Sequence, residues 1–334
     1  MTVLVTGAGG FIGMHVAAAL LARGEQVLGV DNLNDYYDVA LKQARLARLK
    51  SSQNFSFIKL DISDHTMLKE CVRQHGEPDR VVHLAAQAGV RHSLTHPFAY
   101  ARANLTGHLS ILELCRSLPR CRHLVYASSS SVYGGSMKLP FSVDDPADAP
   151  KSLYAATKRA DELMSACYAD LFRFPATGLR FFTVYGPWGR PDMAAYLFAR
   201  AIMDGRPISV FNNGDLRRDF TYVDDIVAGV LGCLDRPPPG DDTGTPHRIY
   251  NLGNSRSEPL MRFIAILENA LGRPASIDFQ PMQPGDVKET CADIGAASRD
   301  FGFSPKTGIE EGLPRFVDWF LAYHGYRQPA AVRG

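Results

Sequence analysis

The chain opens on a short apolar run, Val3-Leu4-Val5, followed by Thr6-Gly7-Ala8-Gly9-Gly10-Phe11-Ile12-Gly13 and then a helix-forming stretch from His15 to Arg23 that Gly24 ends. A second apolar run, Gln26 to Asp31, closes in an acid. The pattern predicts strand, glycine turn, helix and strand, a single βαβ unit. Similar strands are expected at Phe55 to Leu60, Arg80 to Leu84, His123 to Ala127 and Thr177 to Phe182, with helical patterns at His65 to His75, Thr106 to Ser117 and Ala155 to Phe172 between them. Such alternation predicts an α/β fold, a Rossmann-type doubly wound parallel sheet covered on both faces.

After Gly186 the texture changes to shorter segments punctuated by Pro187, Gly189, Pro191, Gly205, Pro207 and Gly214, and a loop from Arg236 to Pro246 carries three consecutive prolines. This half is expected to form a smaller C-terminal α+β substrate-binding domain. Ile249-Tyr250-Asn251-Leu252 reads as a strand returning to the main sheet, and Arg315 to Tyr323 as a closing amphipathic helix whose apolar face, from Ile309 on, is core. The division expected is 1–183, with return segments near 218–252, and 184–330, so the second domain is discontinuous.

A length of 334 residues gives room for two domains, and 36 basic against 35 acidic residues leave no global charge excess for nucleic acid or an anionic membrane. An anionic ligand must be caught by local arginines. The apolar run Val16 to Ala22 is far too short to span a membrane, and the N-terminus has no basic leader region, which reads as a soluble, unprocessed chain. Six cysteines without a C-x-x-C pair suggest reduced thiols in a cytoplasm. His92 and His96 are spaced as two metal ligands but lack a third partner in the sequence nearby, so no metal is expected.

Gly7, Gly10 and Gly13 between a strand and a helix let backbone approach a pyrophosphate at the helix N-terminus, where unpaired N–H groups favour negative charge. Asp31 at the end of the next strand would bond both ribose hydroxyls and repel a 2′-phosphate, favouring NAD over NADP. Asp61-Ile62 either holds the adenine edge or packs, and Leu84-Ala85-Ala86-Gln87-Ala88 either lies along the cofactor or packs. Tyr154 and Lys158, at i and i+4, share one helix face. A phenol with an ordinary pKa of about 10 is a poor base at neutral pH, whereas a nearby ammonium and a charged nicotinamide favour its phenolate. The serine run Ser128-Ser129-Ser130-Ser131, at the end of an earlier strand, offers a hydroxyl in the same crevice.

These motifs, in this order and across essentially the whole chain through Pro284-Gly285-Asp286-Val287, resemble the extended short-chain dehydrogenase/reductases, in particular the sugar-nucleotide epimerases. The resemblance implies bound NAD, contacted by Gly7, Gly10, Phe11, Ile12, Gly13, Asp31, Asn32, Asp61, Ile62, Leu84, Ala85, Ala86, Gln87, Asn104, Tyr154 and Lys158. It implies Ser129 as the catalytic serine, with Ser128 and Ser130 as competitors, Tyr154 as base, and Lys158 on the nicotinamide ribose. Arg218, within Arg217-Arg218-Asp219-Phe220-Thr221-Tyr222, matches the arginine that holds the nucleotide pyrophosphate, and Asp286 the residue on the uridine ribose. Gln283 stands where related epimerases often carry an arginine.

Sugar-nucleotide dehydratases and UDP-glucuronate decarboxylases of this family carry acids where this chain has Ser130-Ser131, so epimerisation is favoured. Arg180 to Met193 and Asp31 to Tyr37 closely resemble the branch of the family that acts on UDP-glucuronate and UDP-galacturonate. In that reading Ser129, Ser130, Tyr154, Thr183, Arg190, Arg218 and Asp286 contact the UDP-sugar, Thr183 and Arg190 recognising a C6 carboxylate; Arg190 instead braces a cap loop through Asp192 in the alternative. Arg91 either faces substrate or lies on the surface. The rivals are a UDP-glucose or UDP-N-acetylhexosamine 4-epimerase, a decarboxylase, and a silent NAD-binding regulator. The helices Thr106 to Ser117 and Ala155 to Phe172 are where a homodimer common in this family would form.

Overall fold

In the computed structural model, residues 1–239, 244–283 and 285–326 are described. Twelve strands run in chain order: β1 (Thr2–Thr6), β2 (Gln26–Asp31), β3 (Phe55–Lys59), β4 (Arg80–His83), β5 (His123–Ser129), β6 (Ala176–Phe181), β7 (Thr183–Tyr185), β8 (Ile208–Phe211), β9 (Arg217–Tyr222), β10 (His247–Leu252), β11 (Ser257–Pro259) and β12 (Ile277–Gln280). Strands buried on both faces read as near-continuous apolar runs, and those of the first half were legible for that reason. Seven of them form one parallel sheet in the order β10-β6-β5-β4-β1-β2-β3. The chain leaves β1 outward through β2 and β3, then crosses to β4 on the other side. That reversal opens a crevice beyond the C-terminal ends of β1 and β4, where such sheets place ligands.

The helix expected from His15 in fact spans Phe11–Ala22, because Gly10 takes the N-cap position and Phe11-Ile12-Gly13 already form its first turn. The helix expected at Thr106 begins as a π-helical turn, Ala101–Thr106, before Gly107–Ser117. The helix Leu153–Phe172 starts where the Ser152 hydroxyl accepts the Ala155 N–H at 3.1 Å. Unforeseen helices occur at Val39–Leu49, Ala194–Met203, Val223–Leu234 and Leu260–Leu271.

In the second half β10 does rejoin the main sheet beside β6, with Ile249 opposite Gly178. The remaining strands form a three-stranded sheet, β11-β9-β7, and a two-stranded one, β12-β8. The closing helix is longer than Arg315 to Tyr323, spanning Ile309–His324 with Pro314 inside it, and buries Ile309, Leu313, Phe316, Val317, Phe320 and Leu321. Residues 240–243 of the proline loop and Pro284 of the Pro284-Gly285-Asp286-Val287 motif lie outside the described residues.

Beneath the crevice, Glu162 of the helix Leu153–Phe172 receives Arg180 of β6 bidentately, Nε to Oε1 and Nη2 to Oε2 at 2.8 Å each, and the Ser128 hydroxyl of β5 at 2.6 Å. The Arg180 guanidinium also lies 4.7 Å from the centre of the Tyr133 ring. All three elements are thereby fixed at one buried point. Removing one partner strands the other charge, so Arg180→Met is expected to lower unfolding free energy by about 3–5 kcal/mol in urea titrations followed by circular dichroism. A loss below about 1 kcal/mol would contradict this role.

Candidate active site

The glycine turn works by contact. Gly7 has φ +73°, and a Cβ there would lie 2.8 Å from both Ala85 N and the Leu84 carbonyl carbon. A Cβ on Gly10 would lie 2.9 Å, and one on Gly13 only 2.0 Å, from the Gly7 carbonyl oxygen. The helix therefore seats directly on the end of β1, with no side-chain cap and no acidic residue in its first turn. Its unpaired N–H groups are free to meet an anion. Arg45, fully buried, ties this turn to the second half by donating to Gly9 O, Trp188 O and Gly189 O.

A cavity of about 980 Å³ opens from this turn. Gly7, Gly10, Phe11, Ile12 and Gly13 line one end, with Asp31, Asn32, Asp61 and Ile62. The Asp31 carboxylate is aimed by the Gly9 N–H at 3.0 Å and the Leu33 N–H at 2.8 Å. Burial would raise the Asp61 carboxyl, but bonds from the Ser63 N–H and hydroxyl and the Arg102 cation at 3.1 Å hold it below its ordinary value.

Leu84, Ala85, Ala86 and Gln87 form the floor. Asn104, expected among the cofactor contacts, does not line the cavity; it stands behind that floor. From the π-helical turn its Oδ1 accepts the Gln87 N–H at 2.8 Å, while Nδ2 donates to Gln87 O at 3.1 Å and to Thr157 Oγ1 at 2.9 Å. The local widening of a π turn brings this amide to the strand end, and π turns recur at functional sites for such reasons.

Ser129, Ser130, Ser131, Tyr154 and Lys158 come together on the middle wall. All four serines line the cavity, but their hydroxyls are differently engaged: Ser128 gives its own to Glu162, while Ser129 Oγ donates to Ser131 Oγ at 3.1 Å and accepts the Ser131 N–H at 3.2 Å. Lys158 Nζ donates to Ala127 O at 2.9 Å and to Asp161 Oδ2 at 3.0 Å. The Tyr154 ring meets Tyr100 edge-on at 6.1 Å.

Thr183, Arg190, Arg218 and Asp286 line the far end. Arg190 does brace Asp192, with Nε to Oδ1 at 3.0 Å and Nη2 on Oδ2, and the Tyr36 hydroxyl donates to the same Oδ2 at 2.9 Å. Burial works against the Asp192 charge, yet Arg190 and Tyr36 hold its carboxyl below the usual range. Arg218 donates to Arg217 O and Lys288 O. Burial lowers its guanidinium from the ordinary value, Asp286 opposing that shift and Arg91 adding to it. Arg91 pairs with Asp286 at 3.0 Å and lies 4.3 Å from the centre of the Phe211 ring. Gln283 is not among the lining residues; its carbonyl accepts the Asp286 N–H.

Sequence reasoning missed Tyr36, Arg45 and Asp161. Asp161 left a signal in its i+3 spacing from Lys158, and Tyr36 in lying within the Asp31 to Tyr37 segment; Arg45 left none. His92 and His96 stack at 4.0 Å, and among the described residues no group of three metal-ligating side chains occurs. No helix among the described residues is long and apolar enough to cross a membrane.

The family model described as the NAD dependent epimerase/dehydratase family matches residues 3–253. UDP-glucuronate 4-epimerase 2 of Arabidopsis thaliana is 46% identical over 97% of this chain and 76% of that protein. The probable UDP-glucuronate 4-epimerase of Rhizobium meliloti is 45% identical over 96% of this chain and 97% of that protein. Among solved structures, UDP-glucuronic acid 4-epimerase from Bacillus cereus, in complex with UDP-glucuronic acid and NAD, matches with a TM-score of 0.88 and 33% identity, covering 97% of this chain and all of that one.

Because a Cβ at Gly13 would sit 2.0 Å from the Gly7 carbonyl oxygen, far inside van der Waals contact, Gly13→Ala must push the helix off β1. We expect a stability loss of about 1–3 kcal/mol and dinucleotide retained through purification falling to about a tenth of the wild-type level or less, read by absorbance and by nucleotide released on acid quench. Full occupancy in Gly13→Ala would contradict the assigned contact.

Proposed function

The chain belongs to the NAD dependent epimerase/dehydratase family, and we propose that it interconverts UDP-glucuronate and UDP-galacturonate by 4-epimerisation with tightly held NAD. The observation that carries this reading is the cavity wall where Ser129, Ser130, Ser131, Tyr154, Thr183 and Arg190 meet without a carboxylate in the serine run. That wall has groups to move a proton and to hold an acidic sugar, and its serine run carries no acid to drive elimination.

NAD fits the residues present. At Gly7, Gly10 and Gly13 any Cβ would collide with neighbouring backbone, so the glycines keep the close-packed turn whose N–H groups suit a pyrophosphate, and the aimed Asp31 carboxylate suits ribose hydroxyls and opposes a 2′-phosphate. When bound, NAD supplies reversible acceptance of the hydride from sugar C4. Tyr154 takes the O4 proton and returns it, Lys158 favours the phenolate and holds the ribose, and Ser129 donates to O4. Arg218, a planar fork already stripped of much of its water, takes the pyrophosphate, and Asp286 the uridine ribose. Residues 1–183, with return segments near 218–252, bind NAD in this reading, and 184–330 mainly the UDP-sugar.

The 4-keto form of glucuronate is a β-keto acid that loses carbon dioxide when its carboxylate bond aligns with the ketone π-system. Thr183 holds the carboxylate out of that alignment. Arg190 spends Nε and Nη2 on Asp192, which leaves Nη1 outside that pair for the carboxylate. The apolar side chains Leu109, Leu163, Leu171 and Phe172, exposed on the helices Gly107–Ser117 and Leu153–Phe172, are suited to a homodimer contact. A cytoplasmic setting accords with six free cysteines.

Incubation with UDP-glucuronate and no added NAD is expected to give UDP-galacturonate; UDP-xylose as the product would replace epimerisation with decarboxylation, and turnover only of neutral UDP-hexoses would replace the substrate. Tyr154→Phe is expected to lose at least about a thousandfold in kcat while keeping its NAD, and undiminished turnover would refute its role. In Thr183→Val the KM for UDP-glucuronate should rise about tenfold, as for one lost hydrogen bond to a charged group, with more UDP-pentose among the products. An unchanged KM and product ratio would remove Thr183 from carboxylate recognition.

A further inference from the structure

Lys158 has a partner that the proton transfer described above does not use. Its ammonium, 4% exposed, is shared between the Ala127 carbonyl at the end of β5 and Asp161 Oδ2, and the Asp161 side chain is fully buried one turn along the same helix. The second carboxylate oxygen, Oδ1, is buried with no hydrogen-bond partner among the described residues. Lys158 is therefore the one side chain that this carboxylate serves there.

A buried ion pair of this kind is a weak source of stability, since desolvating both charges costs about as much as their attraction returns, and an unpaired oxygen adds to the cost. The other groups facing the pair are already settled. Glu162, on the same helix, is bound by Arg180 and Arg159. His83 of β4 and His108 of the helix Gly107–Ser117 are kept neutral by burial, His83 lowered to about 3 and His108 well below its ordinary value. Arg190 faces Tyr154 but carries its own anion, Asp192. Asp161 is thus the anion of this group whose charge only Lys158 opposes.

We propose that Asp161 is a positioning residue for the proton transfer: it pins Lys158 against the Ala127 carbonyl and, by opposing the ammonium's charge, sets how firmly Tyr154 holds its proton. The proposal rests on the reading of Tyr154 and Lys158 as the proton-handling pair. Burial lifts the Asp161 carboxyl to about 6 against the pull of Lys158. An acid raised in this way takes up its proton as pH falls through that value, so Lys158 is opposed near neutral pH and unopposed below it.

The test titrates NAD-loaded protein by the ultraviolet absorbance of ionised tyrosine, with Tyr154→Phe as the background, and needs no sugar. In Asp161→Asn, which removes the charge but keeps an acceptor for Lys158, the Tyr154 ionisation midpoint is expected to fall by about one pH unit. The acid limb of the pH–rate profile for epimerisation should move down with it. Asp161→Glu, restoring the charge, should return both toward their wild-type positions. If Asp161→Asn does not fold, Asp161→Ser, also neutral and an acceptor, gives the same reading. A midpoint that stays in place in a folded neutral variant overturns the proposal. A midpoint that falls in a protein that leaves UDP-glucuronate unconverted upholds it and discards the substrate reading instead.

Discussion

The site depends on how closely the helix Phe11–Ala22 approaches the end of β1. Only hydrogen fits between the Gly13 Cα and the Gly7 carbonyl, and only a residue without Cβ lets Gly7 lie against the backbone of Leu84 and Ala85. The parallel register that pairs Thr6 with Val30 on one side and His83 on the other then sets three loop starts side by side. Asp31, the glycine turn and the Leu84 to Gln87 floor face one crevice as a consequence of that packing. Arg45 extends the same constraint across the molecule, because its buried guanidinium bonds Gly9 and the Trp188–Gly189 segment together.

The opposite wall is organised by one helix with an unusually polar inner side. Tyr154, Thr157, Lys158, Asp161 and Glu162 follow one another along Leu153–Phe172, and each but Tyr154 is buried. Thr157 meets Asn104, Lys158 meets Asp161 and the end of β5, and Glu162 meets β5 and β6 through Ser128 and Arg180. Such contacts add little net stability but permit few alternative arrangements, which is what a proton-transfer site needs from its support. The phenol is left facing the cavity while everything behind it is held in place.

The main sheet was legible because doubly covered parallel strands announce themselves as apolar runs, and the glycine turn and the Tyr154/Lys158 pair because their spacing is tied to geometry. What stayed hidden has physical reasons. The helix Val39–Leu49 buries Lys42 and Arg45, which a polarity pattern assigns to the surface. Strands β7 and β11 are three residues each, too short for an alternation to show. Asn104 acts through a π turn, which no periodicity of 3.6 anticipates. On the sequence alone Arg190 could serve a substrate carboxylate or Asp192, and the fold shows the Asp192 brace, with Tyr36 on the same carboxylate. The serine run is ambiguous in sequence because four identical hydroxyls follow one another, and only the fold shows that the Ser128 hydroxyl is engaged by Glu162.

The account's central claim is that the hydrogen at sugar C4 leaves one face and returns to the other without exchanging with solvent. The direct measurement is turnover of UDP-glucuronate carrying deuterium at C4, in ordinary water, followed by mass spectrometry of the product sugar. The account predicts UDP-galacturonate with its deuterium fully retained at C4. Product that has lost the label to solvent, or label appearing as reduced cofactor released in step with product, would contradict it.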